Sequence, residues 1–182
     1  MRRQSLKKSP PGRRDSTFGV DLRWVSGMFR TMADSGELRA YPERLHHETP
    51  GWVKTGSLFH VRLRTASDQV LPLTKPELAM QLLAAAQNYH GRELWHCALL
   101  LLMPDHIHAL LAFPADTSMA KTIGAWKRYA TRELGVKWQA NFFDHRIRNE
   151  VERAETWAYI LRNPLAKNLC AQESEWPWVW KH

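Results

Sequence analysis

Two histidines separated by one residue are the first side chains in this sequence that could carry chemistry. His106 and His108 follow the dipeptide Pro104-Asp105 and lead into an apolar run at residues 109–113. Alternate side chains of a strand share a face, so both imidazoles would point the same way and could bind one metal ion. Nine histidines in 182 residues give about 0.4 such pairs by chance. The pair therefore needs support from the rest of the chain.

A tyrosine and an asparagine near the C-terminus could complete such a site. Tyr159 and Asn163 are four residues apart in a segment with helical character, so they would project from nearly the same face. A phenol can attack phosphorus, and an amide oxygen can join two imidazoles around a metal ion. A half-buried tyrosine beside a helix-terminal amide would show the same spacing, so the indication comes from the combination with the histidine pair.

The overall charge favours an anionic partner. The formal net charge is +8 and the isoelectric point is near 9.8, which steers nucleic acid or acidic membrane towards the protein. No run of 18 apolar residues occurs, and the basic N-terminus lacks the apolar stretch of a signal peptide, so we expect a cytoplasmic protein. Cys97 and Cys170 are isolated and are expected to stay reduced.

The composition divides the chain into three parts. We expect a basic and partly disordered N-terminal extension at residues 1–51, a regular domain at 52–172, and a Trp-rich packing tail at 173–182. The first fourteen residues contain no acid, and their cations are candidates for DNA contacts: Arg2, Arg3, Lys7, Lys8, Arg13 and Arg14.

The first half of the regular domain shows a strand, a helix and a second strand. Residues 58–65 alternate, with apolar side chains on one face and His60, Arg62 and Arg64 on an exposed basic face. Apolar side chains at helical spacing follow Pro76 and end before Gly91. The apolar run at residues 95–102 then predicts a central strand.

The second half continues with a strand, a helix and a strand. The Pro-Asp turn delivers the histidines into an antiparallel strand, and helical spacing from residue 119 stops at Gly135. Residues 142–148 predict a strand, and residues 150–162 predict a helix that Pro164 ends. This order predicts an α+β, ferredoxin-like split βαβ sheet with helices on one face, followed by a C-terminal helix that carries Tyr159.

Several stretches together resemble a known family. They are Phe59-His60-Val61-Arg62-Leu63-Arg64-Thr65, Met103-Pro104-Asp105-His106-Ile107-His108-Ala109-Leu110-Leu111, Trp126-Lys127-Arg128, Phe143-Asp144-His145-Arg146-Ile147-Arg148 and Tyr159-Ile160-Leu161-Arg162-Asn163-Pro164-Leu165. In this order, and across residues 52–170, they resemble the Y1-type (HUH) tyrosine transposases of the insertion-sequence 200 superfamily, above all the REP-associated tyrosine transposases.

The resemblance implies a mechanism and a substrate. Tyr159 would attack single-stranded DNA, on hairpin-bearing repeats, to form a 5′-phosphotyrosine, while His106, His108 and Asn163 would bind Mg²⁺ or Mn²⁺. The enzyme would act at the nucleoid in DNA transposition and recombination, as a monomer or a homodimer. The expected DNA contacts in the domain are His60, Arg62, Arg64, Lys127, Arg128, Arg146 and Arg148.

Two other functions fit the same residues. A metal-dependent phosphodiester hydrolase would use the two histidines, with Asp105 or His145, to activate water instead of Tyr159. A catalytically idle module would only bind hairpin DNA. The covalent protein–DNA adduct distinguishes the transposase from both.

Overall fold

One antiparallel sheet organises the part of the chain that this computed structural model describes, residues 56–182. Neighbouring strands lie in the order β4-β1-β3-β2-β5, and every adjacent pair is antiparallel. The strands are β1 (Leu58–Arg64), β2 (His96–Leu102), β3 (His106–Ala112), β4 (Phe143–Arg146) and β5 (Val179–Lys181).

The sheet separates two groups of apolar side chains, because alternate residues of each strand point to opposite faces. Phe59, Val61 and Leu63 of β1 face the larger group, which also contains Ile107 and Leu111 of β3. The alternation predicted for β1 is therefore confirmed on its apolar face.

Two helices cover that face. Helix α1 (Pro76–Gly91) begins with proline at its N-terminus, where the missing amide hydrogen costs nothing. Helix α2 (Met119–Leu134) begins at Ser118, whose hydroxyl accepts the Lys121 amide, and ends at Gly135 in the left-handed region. The fully buried side chains that join these helices to the sheet include Leu82, Ile123 and Trp126.

A tight hairpin connects the two central strands. The amide of Met103 donates to the carbonyl of His106 at 2.8 Å, and Leu102 lies opposite Ile107 across the pair. The amide of Leu73 also donates to the carbonyl of Pro104 at 2.9 Å, which fastens the preceding loop to this turn. The Pro-Asp turn therefore delivers His106 and His108 into β3 as predicted.

Helix α3 (Glu150–Ala166) covers the second face of the sheet. Its Ile160 is fully buried against Leu99, Leu101 and Leu110. The prediction that Pro164 ends this helix is wrong, because the helix continues through it to Ala166. A proline removes the hydrogen bond that its own nitrogen would donate and crowds the carbonyl four residues earlier, and α3 accommodates both in its last turn.

The Trp-rich C-terminal segment forms regular structure as well as packing. A short 3-10 helix (Glu173–Glu175) precedes β5, which pairs with β2 so that Trp180 lies opposite Leu100. The indole of Trp176 donates to the carbonyl of Leu102 at 3.0 Å. The predicted packing is present, but a fifth strand was not predicted.

The fold class is confirmed: the molecule is α+β, with the ferredoxin-like order β4-β1-β3-β2 extended by β5. The boundaries at residues 51 and 172 remain predictions, and the basic N-terminal residues, from Arg2 to Arg14, lie outside the described residues. Among the helices of residues 56–182, none is long and apolar enough to cross a membrane.

Gly124 inside α2 and Gly135 at its C-terminal cap test the capping argument by opposite effects. Gly135 has a φ of 69°, so Gly135→Ala should lower the free energy of unfolding by about 1 kcal/mol. Gly124→Ala should instead raise it by about 0.5–1 kcal/mol, since it lies inside the helix and its new methyl meets only a flexible Arg128 nitrogen. Urea denaturation measures both; equal signs for the two substitutions would contradict this account.

Candidate metal and nucleophile site

The two histidines of β3 meet on the face that α3 covers. His108 is 1% exposed and His106 is 9% exposed. Their Nε2 atoms lie 3.1 Å apart. Because they sit at alternate positions of one strand, the backbone itself aims both rings the same way.

Asp105 determines which nitrogen of His106 carries a proton. Its carboxylate Oδ1 lies 2.6 Å from His106 Nδ1, and a carboxylate can only accept, so Nδ1 donates and Nε2 keeps its lone pair. Arg64 donates to the other carboxylate oxygen at 3.2 Å. Burial alone would raise the pKa of Asp105. The hydrogen bonds and charges of His106 and Arg64 outweigh that effect and hold the pKa below its usual range.

His60 performs the corresponding role for His108. Its Nε2 lies 2.9 Å from His108 Nδ1, and the two rings are stacked. When His108 Nδ1 donates this hydrogen bond, its Nε2 is left free to bind a cation beside that of His106. A partner on the outer ring nitrogen is the usual device by which proteins orient metal-binding imidazoles.

The predicted exposure of the basic face is wrong at His60, which is 7% exposed. The Tyr159 ring of α3 lies against His60. Burial, with smaller contributions from Arg62 and His145, lowers the pKa of His60 to about 4. Sequence reasoning placed His60 on the correct face but assigned it to DNA. The signal that was missed is its diagonal position to His108 across the β1–β3 pair.

Tyr159 and Asn163 reach the same place from α3. The Tyr159 ring lies edge-on to His108, with centroids 5.8 Å apart. The Asn163 amide donates to the Tyr159 carbonyl at 2.8 Å. Burial and the neighbouring histidines push the pKa of His108 well below its ordinary value, and a side-chain hydrogen bond with Asn163 partly opposes this shift. The geometry therefore brings together the four residues that the motifs combined.

The donor set could hold a divalent metal ion. Two adjacent ligands about 2.1 Å from a six-coordinate ion are separated by about 3.0 Å, close to the 3.1 Å between the two Nε2 atoms. Asn163 would supply an oxygen, which hard ions prefer. His106, His108 and Asn163 are thus the residues that would hold such an ion.

The basic residues predicted to contact DNA have different surroundings. Arg62 lies opposite His108 with its guanidinium 5.5 Å from the Phe143 ring centre, and Arg64 is bound to Asp105. The Lys127 ammonium donates to the carbonyls of Gln139 and Ala140. Of the remaining predicted contacts, Arg128 and Arg148 are exposed and Arg146 is half-buried.

A broad groove runs beside α2 and the loop that follows it. It has a volume of about 950 Å³, and Arg128, Arg132 and Lys137 are among its lining residues, together with Trp138. The amide of Gln139 donates to the carbonyl of Arg64 at 2.9 Å, so this loop runs beside the end of β1 that carries the Arg64–Asp105 pair. The groove therefore adjoins the strand end next to His106.

A second histidine cluster lies at the other end of β2. One nitrogen each from His90, His96 and His182 lies within 4.8 Å of the others, the only group of three such ligands among residues 56–182. However, His90 Nδ1 already accepts the Cys97 amide, so in the neutral ring Nε2 carries the proton. A metal ion at His90 would have to break that hydrogen bond.

The buried imidazoles predict acid sensitivity of the metal-free protein. His60 takes up a proton at a pKa of 6.5 when unfolded but only at about 4 when folded, so its contribution is complete above pH 6.5 and is lost as the pH falls towards 4. The free energy of unfolding should fall by about 3 kcal/mol from this residue between pH 7 and pH 4. Denaturation in a chelator at several pH values measures it, and His60→Gln should show a visibly weaker dependence. An identical dependence in both proteins would contradict the assignment.

Comparison with known proteins finds similarity to REP-associated tyrosine transposases. No family model matches the chain. A REP-associated tyrosine transposase of Escherichia coli K12 is 29% identical over 85 residues, which is 45% of this chain and 52% of that protein. A Haemophilus influenzae protein, named as a candidate REP-associated tyrosine transposase, is 29% identical over 94 residues, 42% of this chain and 53% of that protein. The chain thus spans about half the length of the curated relatives it matches.

The fold is shared as well. The solved structure of a REP-associated tyrosine transposase bound to a REP hairpin superposes with a TM-score of 0.63 at 20% identity, over 76% of this chain and 82% of that one. The sequence matches confirm the resemblance predicted from the motifs: this chain is similar in sequence to REP-associated tyrosine transposases and shares the fold of one of them.

Proposed function

We propose that this protein is a metal-dependent transposase that nicks and joins single-stranded DNA through Tyr159. One observation carries the proposal: the Tyr159 ring lies against His108, whose Nε2 faces that of His106 at 3.1 Å. A nucleophile and two convergent ligands are the parts that phosphoryl transfer to a tyrosine requires.

The reaction exchanges one phosphodiester for another. The Tyr159 oxygen attacks the scissile phosphorus, a phosphorus–oxygen bond to tyrosine forms, and the bond to the 3′ oxygen breaks. The phenol loses its proton and the departing strand gains one, leaving a 3′-hydroxyl and a 5′-phosphotyrosine. When bound, Mg²⁺ or Mn²⁺ would neutralise charge on the phosphate oxygens. A 3′-hydroxyl from a second strand can reverse the step, so joining needs no external energy source.

This chain's own residues would prepare that step. His106, His108 and Asn163 would hold the ion, while Asp105 and His60 orient the two imidazoles through their outer nitrogens. Asn163 also bonds the Tyr159 carbonyl, so the third ligand and the nucleophile share one helical turn. Because ligands and nucleophile come from one chain, we propose cis catalysis, which a monomer can perform and a homodimer does not require.

We propose hairpin-bearing single-stranded DNA as the substrate. The support is the naming of the relatives, the hairpin bound in the structure of similar fold, and the net charge of +8. The groove with Arg128, Arg132 and Lys137 offers a path for the DNA backbone beside the end of β1. Such a substrate would place the protein at the bacterial nucleoid.

A covalent adduct with DNA is the first expected outcome. The protein is incubated with Mg²⁺ or Mn²⁺ and hairpin-bearing single-stranded DNA labelled on the 3′ side of the cleavage point, then separated on a denaturing gel. Wild type should retain label, because tyrosine keeps the downstream 5′ phosphate. Tyr159→Phe should retain none, and His106→Ala with His108→Ala should lower the yield at least about a hundredfold.

Tyr129→Phe is the matched control, since Tyr129 is an exposed tyrosine on α2 and should leave the adduct unchanged. An adduct that persists in Tyr159→Phe would refute the nucleophile. Cleavage without any adduct would identify a hydrolase that uses water, and tight binding without cleavage would identify an idle hairpin-binding module.

Salt dependence tests the DNA path. Each phosphate neutralised on a single strand contributes about 0.7 to the slope of log affinity against log salt. Arg128→Gln should weaken binding and lower the slope by about 0.7, because it removes one cation from the groove. Arg92→Gln removes an exposed cation at the end of α1 and should leave the slope unchanged. Equal effects of the two substitutions in fluorescence anisotropy would contradict the path.

A further inference from the structure

Helix α3 carries the nucleophile but has few buried side chains. Glu152, Ile160 and Pro164 are its buried residues. Ile160 lies in the apolar layer against β2 and β3, next to Tyr159 in sequence. In the first turn of the helix the buried side chain is therefore a carboxylate, where an apolar anchor would be ordinary.

The Glu152 carboxylate is bound on both oxygens. Oε1 lies 2.6 Å from His145 Nε2 on β4, and Oε2 accepts the Arg148 amide at 2.7 Å. Its own amide donates to the side chain of Asn149, the N-cap of α3. One side chain thus ties the start of α3 to the strand before it, and a buried carboxylate so bound is costly to move.

The geometry connects this contact to the nucleophile. Glu152 and Tyr159 are seven residues apart, which is two turns, so both project from the face of α3 that lies on the sheet. His145 lies directly opposite His60 in the β1–β4 pair, and His60 bonds His108. His145, which holds Glu152, lies on β4, and the candidate metal ligands lie on β3. His60 on β1 connects the two strands.

We propose that Glu152 and His145 form a positioning pair that sets the rotation and depth of α3, so that Tyr159 faces His108. This inference rests on the proposed transposase function for its effect on rate. Neither residue touches the reacting atoms. A displacement of about 1 Å at the reacting groups can lower a rate on the order of a hundredfold, so the pair should affect catalysis more than DNA binding.

The variants separate geometry from charge. Glu152→Ala removes both contacts and should lower the rate of adduct formation at saturating DNA at least about tenfold, with the dissociation constant for DNA changed less than about twofold. Glu152→Gln keeps an oxygen for the Arg148 amide and a polar group for His145, and should recover the rate to within about threefold. Glu150→Ala is the matched control. Glu150 is exposed two residues before Glu152, and among the described residues its carboxylate pairs with Arg153.

A second measurement reports position without activity. In the metal-free protein the Tyr159 ring lies 5.8 Å from His108 and should shift the His108 ring-proton resonances. Glu152→Ala should change that shift, whereas Glu150→Ala and Tyr159→Phe should preserve it, since phenylalanine keeps the ring.

The outcomes keep the two proposals apart. A Glu152→Ala protein with wild-type adduct rate, or with unchanged His108 resonances, would overturn the positioning role. An equal loss of DNA affinity and rate, or a Glu152→Gln protein as slow as Glu152→Ala, would overturn it as well. If wild type forms no adduct, the transposase proposal fails, and the resonance shifts alone then decide whether the pair positions α3.

Discussion

Three imidazoles enclosed between the sheet and α3 impose the main constraint on this structure. His60, His106 and His108 are each less than a tenth exposed, and their nitrogens contact one another at 2.9 and 3.1 Å. A row of buried rings at such distances tolerates little positive charge, so all three have lowered pKa values. The protein thus maintains neutral, lone-pair-bearing imidazoles at physiological pH, the form that binds metal ions.

The strands and α3 make different contributions to the site. Strand alternation places the ligands on one face automatically, and the register of β1 against β3 brings His60 to the outer nitrogen of His108. Helix α3 depends on side-chain contacts for its position, because a helix has no backbone bonds to the sheet beneath it. Those side-chain contacts include the hydrogen bonds of Glu152 at the start of the helix and the burial of Ile160 farther along it.

Much of this was predictable from the sequence, and the exceptions have physical causes. The alternation of β1, the Pro-Asp hairpin and the Gly135 stop are local signals, and each was predicted correctly. The burial of His60 was missed because it depends on α3, whose Tyr159 contacts His60 from about a hundred positions farther along the chain. Pro164 was taken as a terminator, although α3 accommodates a proline in its last turn. Strand β5 was missed since a Trp-rich run of three paired residues carries no alternation long enough to recognise.

Strand β5 has a consequence for how the protein behaves in concentrated solution. Without it, β2 would present an unpaired backbone edge next to five consecutive aliphatic residues at 98–102, the kind of edge that recruits other strands. Trp180 and its neighbours occupy that edge, and Lys181 places a charge on the outermost position. On the opposite flank of the described sheet, β4 is only four residues long and contains two charged residues besides His145. The sheet is therefore protected against edge-to-edge aggregation on one side by a covering strand and on the other by brevity and charge.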